Sequence, residues 1–133
     1  MSESRVHPVT GVPMEYRTGK PAEWPPEKEA VVAAPGNHIV LFENDSVRVL
    51  QVVIQPGERE KPHHHPWPSV LYMSEGDQFV DRDGSGQTIL DTRELDEPIA
   101  LPVTMWKEPE ALHSVENLST SRAIRLLRVE LKS

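Results

Sequence analysis

The chain has 133 residues, enough for one domain with a buried core. It is acidic, with a net charge of -7, a pI near 5.3 and a mean hydropathy of -0.49, so it has no sequence-wide attraction for nucleic acid or anionic lipid. The absence of cysteine excludes a disulfide framework, a thiolate metal site and a cysteine nucleophile.

No apolar run approaches the roughly 20 residues needed to span a membrane. The first ten residues, MSESRVHPVT, lack the apolar core of a signal peptide, and a cytoplasmic protein is the expectation.

Residues 1–36 form one compositional unit and hold six of the 13 prolines, including Pro25-Pro26 and the Pro35-Gly36 turn. Proline removes a backbone donor and fixes φ, so an extended arm without helix is expected. Such an arm either frays or lies along a sheet or across a partner subunit. Val31 to Ala33 reads as a short strand, and Trp24 as an anchor.

From residue 37 to 133 the pattern is that of an all-β domain. His38 to Glu43 is one apolar run, and Asn44-Asp45 a turn. Ser46 to Gln55 is rich in β-branched residues and predicts a long strand that Pro56-Gly57 ends. Ser69 to Ser74 is the next strand. Gln78 to Arg82 pairs with Gln87 to Thr92 across Asp83-Gly84-Ser85-Gly86, with glycine where positive φ is needed. Leu101 to Lys107, Ala111 to Asn117 and Arg122 to Leu131 complete the set. Arg122 to Leu131 also fits an amphipathic helix, but the loop of Asn117 to Ser121 favours a returning strand. Regular strands with turn residues between them predict a sandwich or barrel.

The chemistry centres on Gly57 to Gly76, which contains three consecutive histidines out of six in the chain. Side chains on a strand alternate between faces. His63 and His65 therefore point together and His64 points away, as a bystander. Two imidazoles two residues apart can reach one metal ion, and a third ligand must come from another strand. His113 is the best candidate, because His7 and His38 lie in or beside the arm.

This stretch resembles the first cupin motif: Gly57, five residues, His63-x-His65, three residues, a position usually held by glutamate, six residues and Gly76. Here Ser69 stands at the glutamate position. His113, followed after three residues by Asn117, resembles the end of the second motif, with Glu108-Pro109-Glu110 where Pro-x-Gly is usual. The resemblance spans roughly residues 38 to 131.

The resemblance implies a single-domain RmlC-like jelly-roll barrel with a pocket at one open end. It also implies a homodimer and a divalent transition metal (iron, zinc, nickel or manganese) on His63, His65 and His113. Glu75 lies at the wrong height to replace the missing carboxylate. Ser69 then either bonds a metal-bound water or enlarges the pocket.

Alternation puts Leu71 and Met73 on the face of Ser69, and Val115 and Asn117 on that of His113. Trp67 and Trp106 are candidates for the pocket mouth. An inward Arg48, Arg125 or Arg128 would point to an anionic substrate. Asp81, Asp83, Asp91 and Asp96 are expected on a solvated face or in the hairpin loop.

Three functions follow. The first is a metal-dependent enzyme on a small organic substrate, such as a dioxygenase, lyase or isomerase. The second is a non-enzymatic ligand-binding or sensing module whose metal site is weakened or lost. The third and weakest is a sugar-nucleotide isomerase-like cupin that uses histidine as a base without metal.

Overall fold

The structure, a computed structural model, describes residues 20–132 together with the backbone of β1 (Arg5–Val6) and β2 (Pro13–Met14), which pair antiparallel. His7 lies outside the described residues. After the one-turn helix α1 (Ala30–Ala33) come β3 (His38–Glu43), β4 (Val47–Ile54), β5 (His63–His65) and β6 (Ser69–Glu75). The chain continues through β7 (Phe79–Asp83), β8 (Thr88–Asp91), β9 (Val103–Lys107), β10 (Glu110–Asn117) and β11 (Ile124–Leu131). The segment Ile124–Leu131 is thus a strand, as its loop indicated.

Two antiparallel sheets face each other. One is five-stranded in the order β3-β4-β11-β6-β9, and the other four-stranded in the order β5-β10-β7-β8. The Asp83 to Gly86 hairpin closes with Gly86 at φ 89, where a side chain would be strained. The Asp83 carboxylate accepts from Ser85 N and Gln87 N.

Period-two alternation places one row of each strand inside. Across the five-stranded sheet the inward residues stack in layers set by register. Arg48, Glu130, Ser69 and Lys107 form one layer, and Leu50, Arg128, Leu71 and Met105 the next. Val52, Leu126, Met73 and Val103 form the third, and Ile54 and Ile124 the fourth. The interior therefore grades from charged to apolar along the barrel. Its apolar end is a core of Ile54, Met73, Phe79, Leu90 and Ile124.

The described part of the arm corrects two expectations. It is not extended, and Val31 to Ala33 is not a strand. Two single-turn 3-10 segments (Pro21–Glu23 and Pro26–Lys28) lead into α1. Each 3-10 turn carries proline at its first positions, where an N–H has no helical partner to lose. In α1, Ala30 and Ala33 flank two valines, and the alanines lose no side-chain entropy on entering the turn.

Trp24 meets His64 edge-on at 5.3 Å, and His64 Nε2 donates to the Pro25 carbonyl at 2.7 Å. Glu29 bridges to His64 and pairs with Arg48. His64 does point away from His63 and His65, but it is buried beneath the arm and is no bystander. The arm also covers the free edge of β5, which would otherwise expose unpaired backbone groups.

Candidate metal centre

Four imidazoles from three strands come together at the polar end of the interior. His63 and His65 project from β5, His113 from β10, and His38 from the first position of β3. The His63 ring lies 4.6 Å from that of His38, 4.9 Å from His65 and 4.8 Å from His113. All four are buried.

Their orientation is fixed from behind. His38 Nδ1 is 3.0 Å from the Ala34 carbonyl at the end of α1, and His63 Nδ1 is 2.8 Å from the Lys61 carbonyl. A carbonyl only accepts, so Nδ1 carries the proton in both rings and leaves Nε2 with a lone pair. His113 Nδ1 sits 2.8 Å from Asp81 Oδ1. This pattern of imidazoles held by carbonyls and a carboxylate is how metal-ligating histidines are commonly oriented. His65 Nδ1 is 3.6 Å from Glu130 Oε2, and each of these buried atoms lacks a hydrogen-bond partner among the described residues.

The potential ligand atoms fall into two compact groups. His38, His63 and His65 offer atoms within 4.8 Å of one another, and so do His65, Glu110 and His113. The set His63, His65 and His113 expected from the sequence is thus divided between them, with His65 common to both. The donor chemistry fits a divalent transition ion, since imidazole suits zinc, iron, nickel and copper better than magnesium or calcium.

Four carboxylates surround the rings: Asp81 behind His113, Glu130 beside His65, and Glu60 and Glu110. Glu60 Oε2 lies 3.5 Å from His38 Nε2 and 3.9 Å from His63 Nε2. Burial pushes the Glu60 carboxyl up to about 8. Burial also favours a neutral Glu110, but the Arg128, Lys107 and His113 charges outweigh it and hold Glu110 well below the carboxylate range. Burial likewise lowers His63 and His65, and takes His38 down to about 4. In His113 burial is overcome by Asp81 and Glu110, which raise it to about 9.

Several sequence expectations are corrected. His38 belongs to the histidine cluster, not merely to the edge of the arm. Asp81 is buried against His113 rather than solvated. Arg128 is the arginine that lines the cavity. Arg48 is buried on Glu130 and Glu29, and Arg125 pairs at the surface with Glu75.

Leu71, Met73 and Val115 line the inner cavity of about 80 Å³ with the histidines, Met105 and Arg128. Asn117 does not line it. Asn117 Nδ2 donates to the Ile54 and Arg122 carbonyls and its Oδ1 accepts from Ser119 N, which ties the β10–β11 turn. Trp67 is not at a cavity mouth but lies under Arg48, whose guanidinium is 4.7 Å from the ring centroid. Trp106 alternates outward from Met105 and Lys107 and bonds Glu108 at the surface. Ser69 is fully buried, and its hydroxyl accepts from Arg128 Nε at 3.1 Å.

The signal for Glu110 was hidden by a register shift. Strict alternation from His113 puts Glu110 on the opposite face, but β10 is irregular between the two against β5. That irregularity brings both side chains inward. His38 gave a weaker signal: it opens a strand pattern, but nothing local says which face it takes.

No protein-family model matches the sequence, and no curated protein matches it. Solved structures do. A cupin domain protein from Bordetella pertussis superposes with a TM-score of 0.56 at 20% identity, over 72% of this chain and 92% of that one. The polyketide cyclase RemF from Streptomyces resistomycificus gives 0.53 at 18%, over 90% of this chain and 81% of that one. An RmlC-like cupin from Methanocaldococcus jannaschii gives 0.51 at 11%, over 71% and 77%.

The barrel is therefore a cupin fold. Within it, the nine strands that form the two sheets make a single-domain jelly roll of the RmlC-like kind, as the two motifs implied. No helix among the described residues is long and apolar enough to cross a membrane.

Proposed function

We propose that the protein holds one divalent transition metal among His63, His65, His113 and His38, and binds a small organic molecule beside it. The observation that supports this reading is the convergence of four buried imidazoles whose Nδ1 atoms are largely committed to partners behind them. A bound ion of this class would act as a Lewis acid and lower the pKa of a bound water. The chain's own residues orient the rings, exclude bulk water and supply Glu60 and Glu110 at the edge of the site.

The ligand is proposed to place a polar end at the histidines and an apolar body toward Met73, Phe79 and Ile99. Those three residues also line a second cavity of about 380 Å³ toward residues 92–101 and Arg122. The inner cavity alone is well below the roughly 300 Å³ at which small-molecule pockets begin, whereas the outer one lies in that range. A ligand of more than a few atoms is proposed to extend from the inner cavity toward the outer one. Enzymatic turnover is the favoured use, and the cyclase RemF is one enzyme built on this fold.

Protein purified without chelator or histidine tag is expected to contain about one transition-metal ion per chain by elemental analysis. Chelation is expected to lower its melting temperature, because a ligand that binds only the native state stabilises it. Metal-free protein that gains nothing from added zinc or iron would sink the proposal.

The alternative, a ligand-binding module without turnover, is favoured by Ser69, whose hydroxyl is committed to Arg128 in place of a glutamate. Turnover in a substrate screen decides against it.

A homodimer is the proposed assembly, paired through the outer face of the five-stranded sheet. Val70, Tyr72, Trp106 and Leu127 are exposed there, and a contiguous apolar patch favours association. Sedimentation is expected to give a dimer, and a monomer at tens of micromolar refutes it.

A further inference from the structure

We propose that Glu110 is a direct carboxylate ligand of the metal ion, with Arg128 and Ser69 as the residues that position it. This inference rests on the metal reading above and adds to it a charged ligand at the last position of Glu108-Pro109-Glu110, where neither sequence motif places one.

Four observations carry it. First, Glu110 Oε2 lies 3.8 Å from His113 Nε2, and the carboxylate groups with His65 and His113 within 4.8 Å. Metal–ligand bonds of about 2.0–2.2 Å allow two donor atoms up to roughly 4.2 Å apart to share one ion. Second, the other oxygen is already fixed: Arg128 donates to Glu110 Oε1 at 2.7 Å. Ligating carboxylates are commonly held in this way through their second oxygen.

Third, Arg128 is itself held. Its Nε donates to Ser69 Oγ at 3.1 Å, and both residues are buried. Ser69 and Arg128 occupy adjacent layers on neighbouring strands, Ser69 lying across from Glu130 and Arg128 across from Leu71. A small side chain at position 69 leaves room for the guanidinium. Fourth, the β10 irregularity between Glu110 and His113 turns both inward, although they are three residues apart. An unbroken strand would send one of them out.

The charge balance agrees. Neutral imidazoles alone leave a divalent ion with its full charge in a buried site, where an uncompensated charge is costly. One carboxylate halves it. Glu60 is the rival, since its Oε2 is 3.5 Å from His38 Nε2. It belongs to neither compact ligand group among the described residues, and its Oε1 accepts from Val115 N rather than from a guanidinium.

The test is competitive chelator titration with zinc, together with the visible spectrum of the cobalt(II) form. The proteins are wild type, Glu110→Gln, Glu60→Gln and the double variant Glu110→Gln/Arg128→Met. Glu110→Gln is expected to lose at least about tenfold in zinc affinity and to alter the cobalt spectrum. Glu60→Gln is expected to lose less.

The double variant separates a ligand from a mere counter-ion, because it removes the unpaired guanidinium together with the carboxylate. It is expected to stay weak in metal binding while regaining the thermal stability that Glu110→Gln loses. Recovery of wild-type affinity and spectrum in the double variant overturns the proposal, as does an unchanged Glu110→Gln. Wild-type protein that takes up no metal overturns the metal reading itself along with it.

Discussion

A His65→Ala variant is expected to lose stoichiometric divalent-metal binding, with affinity falling at least about 100-fold. His65 is the one residue common to both compact ligand groups, so its loss dissolves each of them. It is also 1% exposed, and neighbouring side chains cannot replace an imidazole nitrogen. Elemental analysis and chelator competition measure the effect. His64→Ala is the control: its ring faces Trp24 and the Pro25 carbonyl, so metal content is expected to hold. A His65→Ala protein that is folded and fully metallated would place the ion elsewhere.

The second large effect is on stability. Arg48→Met is expected to destabilise the fold by about 3–5 kcal/mol, since it strands a buried carboxylate without its cation. Arg48 Nε donates to Glu130 Oε1 at 2.6 Å, and Glu130 is fully buried. The same guanidinium holds Glu29 of the arm, so its removal also loosens the segment over β5. A fall in melting temperature on the order of 10 °C follows for a domain of this size.

The double variant Arg48→Met/Glu130→Met is expected to recover most of that loss, because a packed apolar pair often matches a buried ion pair. Thermal unfolding of the three proteins in metal-free buffer tests this. A single variant within two or three degrees of wild type contradicts it.

Much of the barrel was legible in the sequence because strand period is a local property. Val47–Ile54 and Ile124–Leu131 alternate more and less buried residues with a period of two, although the inward row takes in Arg48, Arg128 and Glu130, which the apolar pattern did not mark. The His38 strand begins and ends where its apolar run does. The inward turn of Leu71 and Met73 was likewise a matter of counting by two from Ser69. The separation of His64 from its neighbours is the same rule.

The arm was misread because proline content was taken to exclude helix throughout. Proline is tolerated at the first positions of a turn, and the alanines after it need only one turn to cap β5. Asn117 and Trp106 were misplaced for another reason: alternation gives the face of a strand, not the depth along it or the partner that claims the side chain.

The sequence by itself determined the all-β class, two motifs at cupin spacing, and a same-face pair in His63 and His65. The tertiary structure alone decided what surrounds that pair. His38 enters from a strand that begins 25 residues earlier, because the register of β3 on β4 sets it beside Val52. Glu110 enters because a register shift in β10 breaks the two-residue count. Asp81 and Arg128 become parts of the site only when the sheets close, since burial and partner are long-range properties that no local period encodes.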